Sequence, residues 1–73
     1  MKNKTILINL VNKLKKEYND LNTKITNLDI WISLYKDDIN KEYITLMEEQ
    51  KDLMIDYSEI LYQRIKYLIK KYK

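Results

Sequence analysis

Apolar residues recur from Leu7 to Tyr35 at intervals that alternate between four and three: Leu7, Val11, Leu14, Tyr18, Leu21, Ile25, Leu28, Ile32 and Tyr35. That spacing puts all of these side chains on one face of an α-helix. It predicts a helix from about Thr5 to about Tyr35, roughly 45 Å long at 1.5 Å per residue. Ile6, Ile8 and Leu10 lie off the stripe. Their crowding predicts a separate contact, for which a short first helix that bends before the long one is one arrangement. Asn9 and Asn12 are weak helix formers and permit such a bend. Met1 to Lys4 is polar and expected to fray. Trp31, beside Ile32 and off the stripe, is placed to seal one end of a hairpin or to touch another chain.

Lys36-Asp37-Asp38 interrupts the pattern and predicts a turn over 36–38, with either aspartate capping the helix that follows. A second helix is expected from about Ile39 to about Tyr72. Its apolar residues are Ile39, Tyr43, Ile44, Leu46, Met47, Leu53, Met54, Tyr57, Ile60, Leu61, Ile65, Leu68, Ile69 and Tyr72. This face is wider than a two-stranded seam requires. The prediction is an all-α, single-domain antiparallel two-helix hairpin whose surplus apolar face is covered by further copies, making a homo-oligomer. Glu48, Glu49, Lys51 and Asp52 read as a solvated face.

Composition narrows the options. Seventy-three residues bury only about 60% of the unfolded surface and are marginal alone, so a staple is needed. There is no Cys and no His, which excludes disulfides and makes a zinc site a poor expectation. Oligomerisation is the staple that remains. There is no Gly, and phosphate-cradling loops depend on it. The net charge is +3, with lysines and acids alternating along the chain. That pattern argues against a duplex nucleic-acid binder. No apolar run reaches membrane-spanning length, and Ile6-Leu7-Ile8 is too short for a secretory signal core. A cytoplasmic protein with no membrane association and no cofactor is expected.

Catalysis has few candidates. Without His, Cys or Gly, the common nucleophile and base constellations are absent. Asp37/Asp38 and Glu48/Glu49 are adjacent pairs whose side chains diverge on a helix, so capping and solvation suit them better than acid–base work. The chain reads as a non-enzyme. The informative polar residues lie within Gln50–Ile65, where Gln50 stands one heptad before Tyr57 and Arg64 one heptad after it. Arg64 is the single arginine among thirteen lysines. On an inward-leaning face it needs a partner: a carboxylate such as Glu17, Asp20 or Glu59, a neighbouring chain's carbonyls, or an anionic ligand. A guanidinium fork suits carboxylate and phosphate. Lys24, beside Ile25, projects from a seam edge, with Thr26 two residues on. Lys24 also reads as a plain solvated lysine.

Two segments carry a resemblance. The first is Glu17-x-x-x-Leu21-x-x-Lys24-Ile25-x-x-Leu28-x-x-Trp31-Ile32. The second is Gln50-x-x-x-Met54-x-x-Tyr57-Ser58-x-Ile60-Leu61-x-x-Arg64-Ile65. Together they resemble the short phage helical-hairpin family of the anti-CBASS cyclic-oligonucleotide sponge, whose hairpin also occurs in a Thoeris anti-defence sponge and in small crAss-like phage proteins. The resemblance implies a compact homohexamer that binds cyclic dinucleotides (cyclic GMP-AMP-like) and cyclic trinucleotides (cyclic tri-adenylate-like) in separate pockets between subunits. It implies sequestration without cleavage, in the host cytoplasm. The family's phosphate-contacting lysine falls on Lys24, and its threonine on Thr26. Its arginine falls on Arg64, which with Thr26 resembles the trinucleotide site. The family's base-stacking aromatic near the N-terminus has no counterpart; Asn9 stands near that place, and the nearest aromatic is Tyr18. Two rival readings remain open: a structural or adaptor hairpin oligomer with a protein partner, and a weak single-strand nucleic-acid binder.

Overall fold

The computed structural model describes residues 2–71; Met1 and the expected helical position of Tyr72 lie outside the described residues. Two helices, α1 (Lys2–Tyr35) and α2 (Lys41–Lys71), pack against each other as an antiparallel hairpin. The hairpin measures 56 × 14 × 12 Å. Among the described residues there is no strand.

The expected bend near Asn9 and Asn12 is absent. α1 runs unbroken through both asparagines, and Lys2 to Lys4 lie inside it instead of fraying. Two isolated asparagines cost a helix only a few tenths of a kcal/mol each. Leu7 and Val11, both half-buried, continue the same seam on either side of Asn9. Ile6, Ile8 and Leu10 consequently project from this one helix as exposed residues.

The connection is built without glycine. The carbonyl of Tyr35 accepts from the amides of Asp38 and Ile39, each at 3.0 Å, so α1 winds down by one further turn. No described residue has a positive φ, and no position there demands glycine. The expected aspartate cap is not what forms. Asn40 caps α2: its Oδ1 accepts from the Glu42 amide at 2.7 Å, and its carbonyl accepts from the Ile44 amide at 3.1 Å. Asp37 and Asp38 belong to the unwinding end of α1, too early to reach those amides. Ile39 packs with Ile44 in one apolar cluster, which is the staple that fixes the entry of a chain into a capped helix.

The α1 seam follows the heptad series. Leu14, Leu21 and Ile32 are buried, Leu7, Val11, Tyr18, Ile25 and Leu28 are half-buried, and Tyr35 is exposed at the turn. The facing α2 seam is Ile44, Met47, Lys51, Met54, Ser58, Leu61, Ile65 and Leu68. One core cluster gathers Leu14, Leu21, Leu61 and Ile65; the other, near the turn, gathers Ile32, Ile44 and Met47. Leu61 is fully buried.

Two polar residues interrupt the α2 seam, and neither is one that the sequence singled out. Ser58 is buried and donates to Asn22 Oδ1 at 2.8 Å. Lys51, expected on a solvated face, lies along the seam and reaches Asp29 Oδ1 at 2.9 Å. A long alkyl stem tolerates this by covering apolar surface while the ammonium reaches the edge. Gln50 and Arg64 are exposed instead. They fall on a second stripe of α2, turned outward, with Tyr43, Leu46, Leu53, Tyr57, Ile60 and Tyr67.

That outward stripe leaves a large surface. A globular monomer of this 9.0 kDa mass exposes about 4,900 Å², whereas the hairpin exposes 6280 Å².

Two outcomes test this packing. Leu61→Ala is expected to cost about 2–5 kcal/mol, read as a lower urea midpoint. The Asp29 hydrogen bond raises the pKa of Lys51 above its ordinary 10.5. A raised folded-state pKa gives stability that is complete below the unfolded value and lost as pH rises through the folded one. Asp29→Asn should therefore lower the urea midpoint at pH 7, and its deficit should vanish once the pH passes the raised pKa of Lys51.

Candidate functional site

In an antiparallel hairpin each step forward on α1 is a step back on α2, so the flank of α1 bearing Leu10, Glu17 and Lys24 faces the flank of α2 bearing Gln50, Tyr57 and Arg64. One side-chain contact joins the two flanks. The Tyr57 hydroxyl donates to Glu17 Oε2. Two open grooves lie along this side.

The first groove, about 350 Å³, is lined by Lys13, Lys16, Glu17, Asp20, Leu21, Lys24 and Tyr57. Its three ammonium groups outnumber its two carboxylates. Asp20 is engaged by Lys16 at 3.1 Å, and Glu17 by the Tyr57 hydroxyl. Among the described residues Lys13 and Lys24 make no ion pair. The groove therefore offers two uncommitted cations beside a phenol ring whose side chain is about half exposed.

The second groove, about 910 Å³, lies towards the open end of the hairpin. Leu10, Ile60, Tyr67 and Leu68 give it apolar walls, and Arg64, Lys66 and Lys70 place three cations along it. Arg64 is exposed and makes no ion pair among the described residues. Of the intra-chain partners expected for it, Glu17 is bonded to Tyr57 and Asp20 to Lys16. Lys66 Nζ lies 5.5 Å from the centre of the Tyr62 ring, within cation–π range.

The residues marked in the sequence are thus divided. Lys24 and Arg64 share one side of the hairpin, in different grooves. Thr26 does not join them: two residues along a helix is a rotation of about 200°, and Thr26 is exposed on the other side of α1. Asn9 is exposed beside Leu10 and lines neither groove. Tyr18 is built into the core. It packs against the Leu14, Leu21, Leu61 and Ile65 cluster, and its ring lies 6.0 Å from that of Tyr62 at 36°. The aromatic rings that do line the grooves are Tyr57 and Tyr67. The spacing of Gln50, Tyr57 and Arg64 held the signal for Tyr57, since residues one heptad apart share a face. Nothing local marked Lys13, which joins the groove because it lies eleven residues, or three helical turns, before Lys24.

A family model described as Sequestin matches residues 9–67, a stretch that contains both motifs and most of the chain. No curated protein and no solved structure matches the chain.

Proposed function

The chain belongs to the Sequestin family, and on that premise we propose that it is a phage anti-defence protein that binds cyclic oligonucleotide second messengers and sequesters them without cleavage. The family name speaks of sequestration. The observation that carries the ligand class is the pair of grooves on one side of the hairpin, each with unpaired cations next to an exposed tyrosine. A cyclic di- or trinucleotide presents phosphates for the cations and flat bases for the rings. Base stacking on an aromatic side chain contributes about 1–3 kcal/mol per base. In this reading Lys24 contacts phosphate in the smaller groove, and Arg64 does so in the larger.

The working unit is a homo-oligomer, a hexamer by the resemblance. The outward stripe from Tyr43 to Tyr67 supports self-association, and the surface in excess of a globular monomer is more than the roughly 800 Å² per partner that a standard interface buries. Symmetry then multiplies a single cation per chain into two or three around an axis. Thr26 and Arg64 lie on different sides of one hairpin, so a site that uses both is shared between copies. The proposed place of action is the host cytoplasm; among the described residues no helix is long and apolar enough to cross a membrane. The same outward stripe also fits the second reading, a structural or adaptor oligomer that holds a protein partner.

The test mixes the purified protein with cyclic GMP-AMP and cyclic tri-adenylate, passes the mixture through a size filter, and analyses the filtrate before and after heating. The expected result is messenger lost from the filtrate and recovered intact on heating. Arg64→Ala should release the trinucleotide while the assembly keeps its mass by light scattering. Free passage of both messengers, or a smaller particle for Arg64→Ala, would favour the structural oligomer. Cleaved products would mean an enzyme.

A further inference from the structure

Four polar residues of the hairpin line neither groove and still bear on both. Ser58 is buried and donates to Asn22 Oδ1 at 2.8 Å, and Lys51 reaches Asp29 Oδ1 at 2.9 Å. Asn22 and Asp29 stand one heptad apart on α1, and Lys51 and Ser58 stand one heptad apart on α2. Apolar packing does not select this pairing. The α1 stripe repeats every seven residues without a fault, and so does the α2 line of Met47, Met54, Leu61 and Leu68. A slide of one heptad, about 10.5 Å along the axis, therefore sets apolar on apolar again. The connection contains no Pro and no Gly, so no residue type there pins the turn to one place.

We propose that these two contacts select the register against its one-heptad slides, and that Asn22, Asp29, Lys51 and Ser58 are positioning residues for the grooves. The registers differ along the second seam line of α2, which reads Ile44, Lys51, Ser58, Ile65. Sliding one way sets Asn22 against Ile65 and Lys36 against Lys51, so an amide loses its partner and two like charges meet. Sliding the other way sets Asp29 against Ile44, in the apolar cluster near the turn, and takes Asn22 from Ser58. Either slide parts Asp29 from Lys51. The choice thus rests on what the wrong registers lose as well as on what the right one gains, as it does for a polar residue at a core position of paired helices. A slide carries Lys24 about 10.5 Å away from Tyr57, and Arg64 as far from Leu10. The inference rests on the proposed function and adds what holds its cations in place.

The chain has no Cys, so introduced pairs report the register directly. The rings of Tyr18 and Tyr62 lie 6.0 Å apart, and Ile55 and Ile69 stand one heptad to either side of Tyr62. Tyr18→Cys is combined in turn with Tyr62→Cys, Ile55→Cys and Ile69→Cys, and each pair is treated with a short bismaleimide. With the native seam, only the pair with Tyr62→Cys should join within one chain. With Asn22→Ala, Asp29→Ala, Lys51→Met and Ser58→Ala, helicity should persist, because Ala and Met are good helix formers, and all three pairs should join. Three equally populated registers would weaken capture of cyclic tri-adenylate about threefold, since one third of the chains keep the binding geometry. Asn22→Asp with Asp29→Asn moves the carboxylate by one heptad and should shift joining towards Ile55→Cys; it decides the matter if the apolar seam does not fold. Joining that stays with Tyr62→Cys in both variants, whatever happens to capture, would overturn the proposal and assign the register to Asn40 and the turn. A native-seam chain that captures no messenger removes the proposed function, while the cross-links still decide the register.

Discussion

The structure depends on one mismatch: α2 is apolar on two faces and has a single helix to pack against. Its inward series from Ile44 to Leu68 meets the heptad stripe of α1, and its outward series from Tyr43 to Tyr67 stays exposed, touching α1 through the Tyr57–Glu17 contact. Hydrophobic burial is the main favourable term in folding, and here much of it is left unspent within one hairpin. Among the described residues only seven apolar ones are buried, and of these Leu61 alone reaches 0% exposure. A hairpin so thin is marginal by itself; in the proposed homo-oligomer further copies would both stabilise the fold and cover the outward stripe. The proposed ligand sites belong to the same logic, because Arg64 and Tyr57 stand on that outward stripe.

Polar residues on the inward seam do a different job. Ser58 bonds Asn22 and Lys51 bonds Asp29, each from a seam position to the flank of α1 opposite the grooves. A polar residue at one core position of paired helices sets their register at some cost in stability. These two contacts, with the Tyr57–Glu17 bond on the other flank, fix how α1 slides against α2. Register in turn decides that Lys24 lies near Tyr57 and that Arg64 lies near Leu10. The geometry of the grooves is therefore a consequence of three side-chain contacts and a hydrophobic seam, with no loop involved.

Much of this was legible in the sequence. The α1 seam could be read residue by residue, because a fault-free heptad series admits one helical face, and the family resemblance agrees with the match over residues 9–67. The connection was placed to within a few residues, but the cap was assigned to Asp37 or Asp38 when Asn40 performs it; spacing alone cannot tell how far α1 winds down before α2 begins. The second helix was harder. With apolar residues on two faces, Lys51 could not be told from its exposed neighbours, nor could Gln50 and Arg64 be assigned to the outward face. Which stripe faces α1 is decided by pairing, a non-local property. The same reason hid the true place of Tyr18. Its spacing put it on the seam, while a base-stacking role needs an open ring, and in the hairpin that ring packs on the core and faces Tyr62. Of the marked residues, Lys24 and Arg64 open onto grooves and Thr26 and Asn9 do not.

The central claim is that the outward face of α2 is completed by other copies and that the completed assembly holds an intact messenger. Native mass spectrometry of the purified chain, with cyclic GMP-AMP and cyclic tri-adenylate added in turn, tests both halves in one spectrum. The account predicts a homo-oligomer that carries whole-number additions of the unmodified messenger mass. A monomer, or an oligomer that remains bare with both messengers in excess, would contradict it.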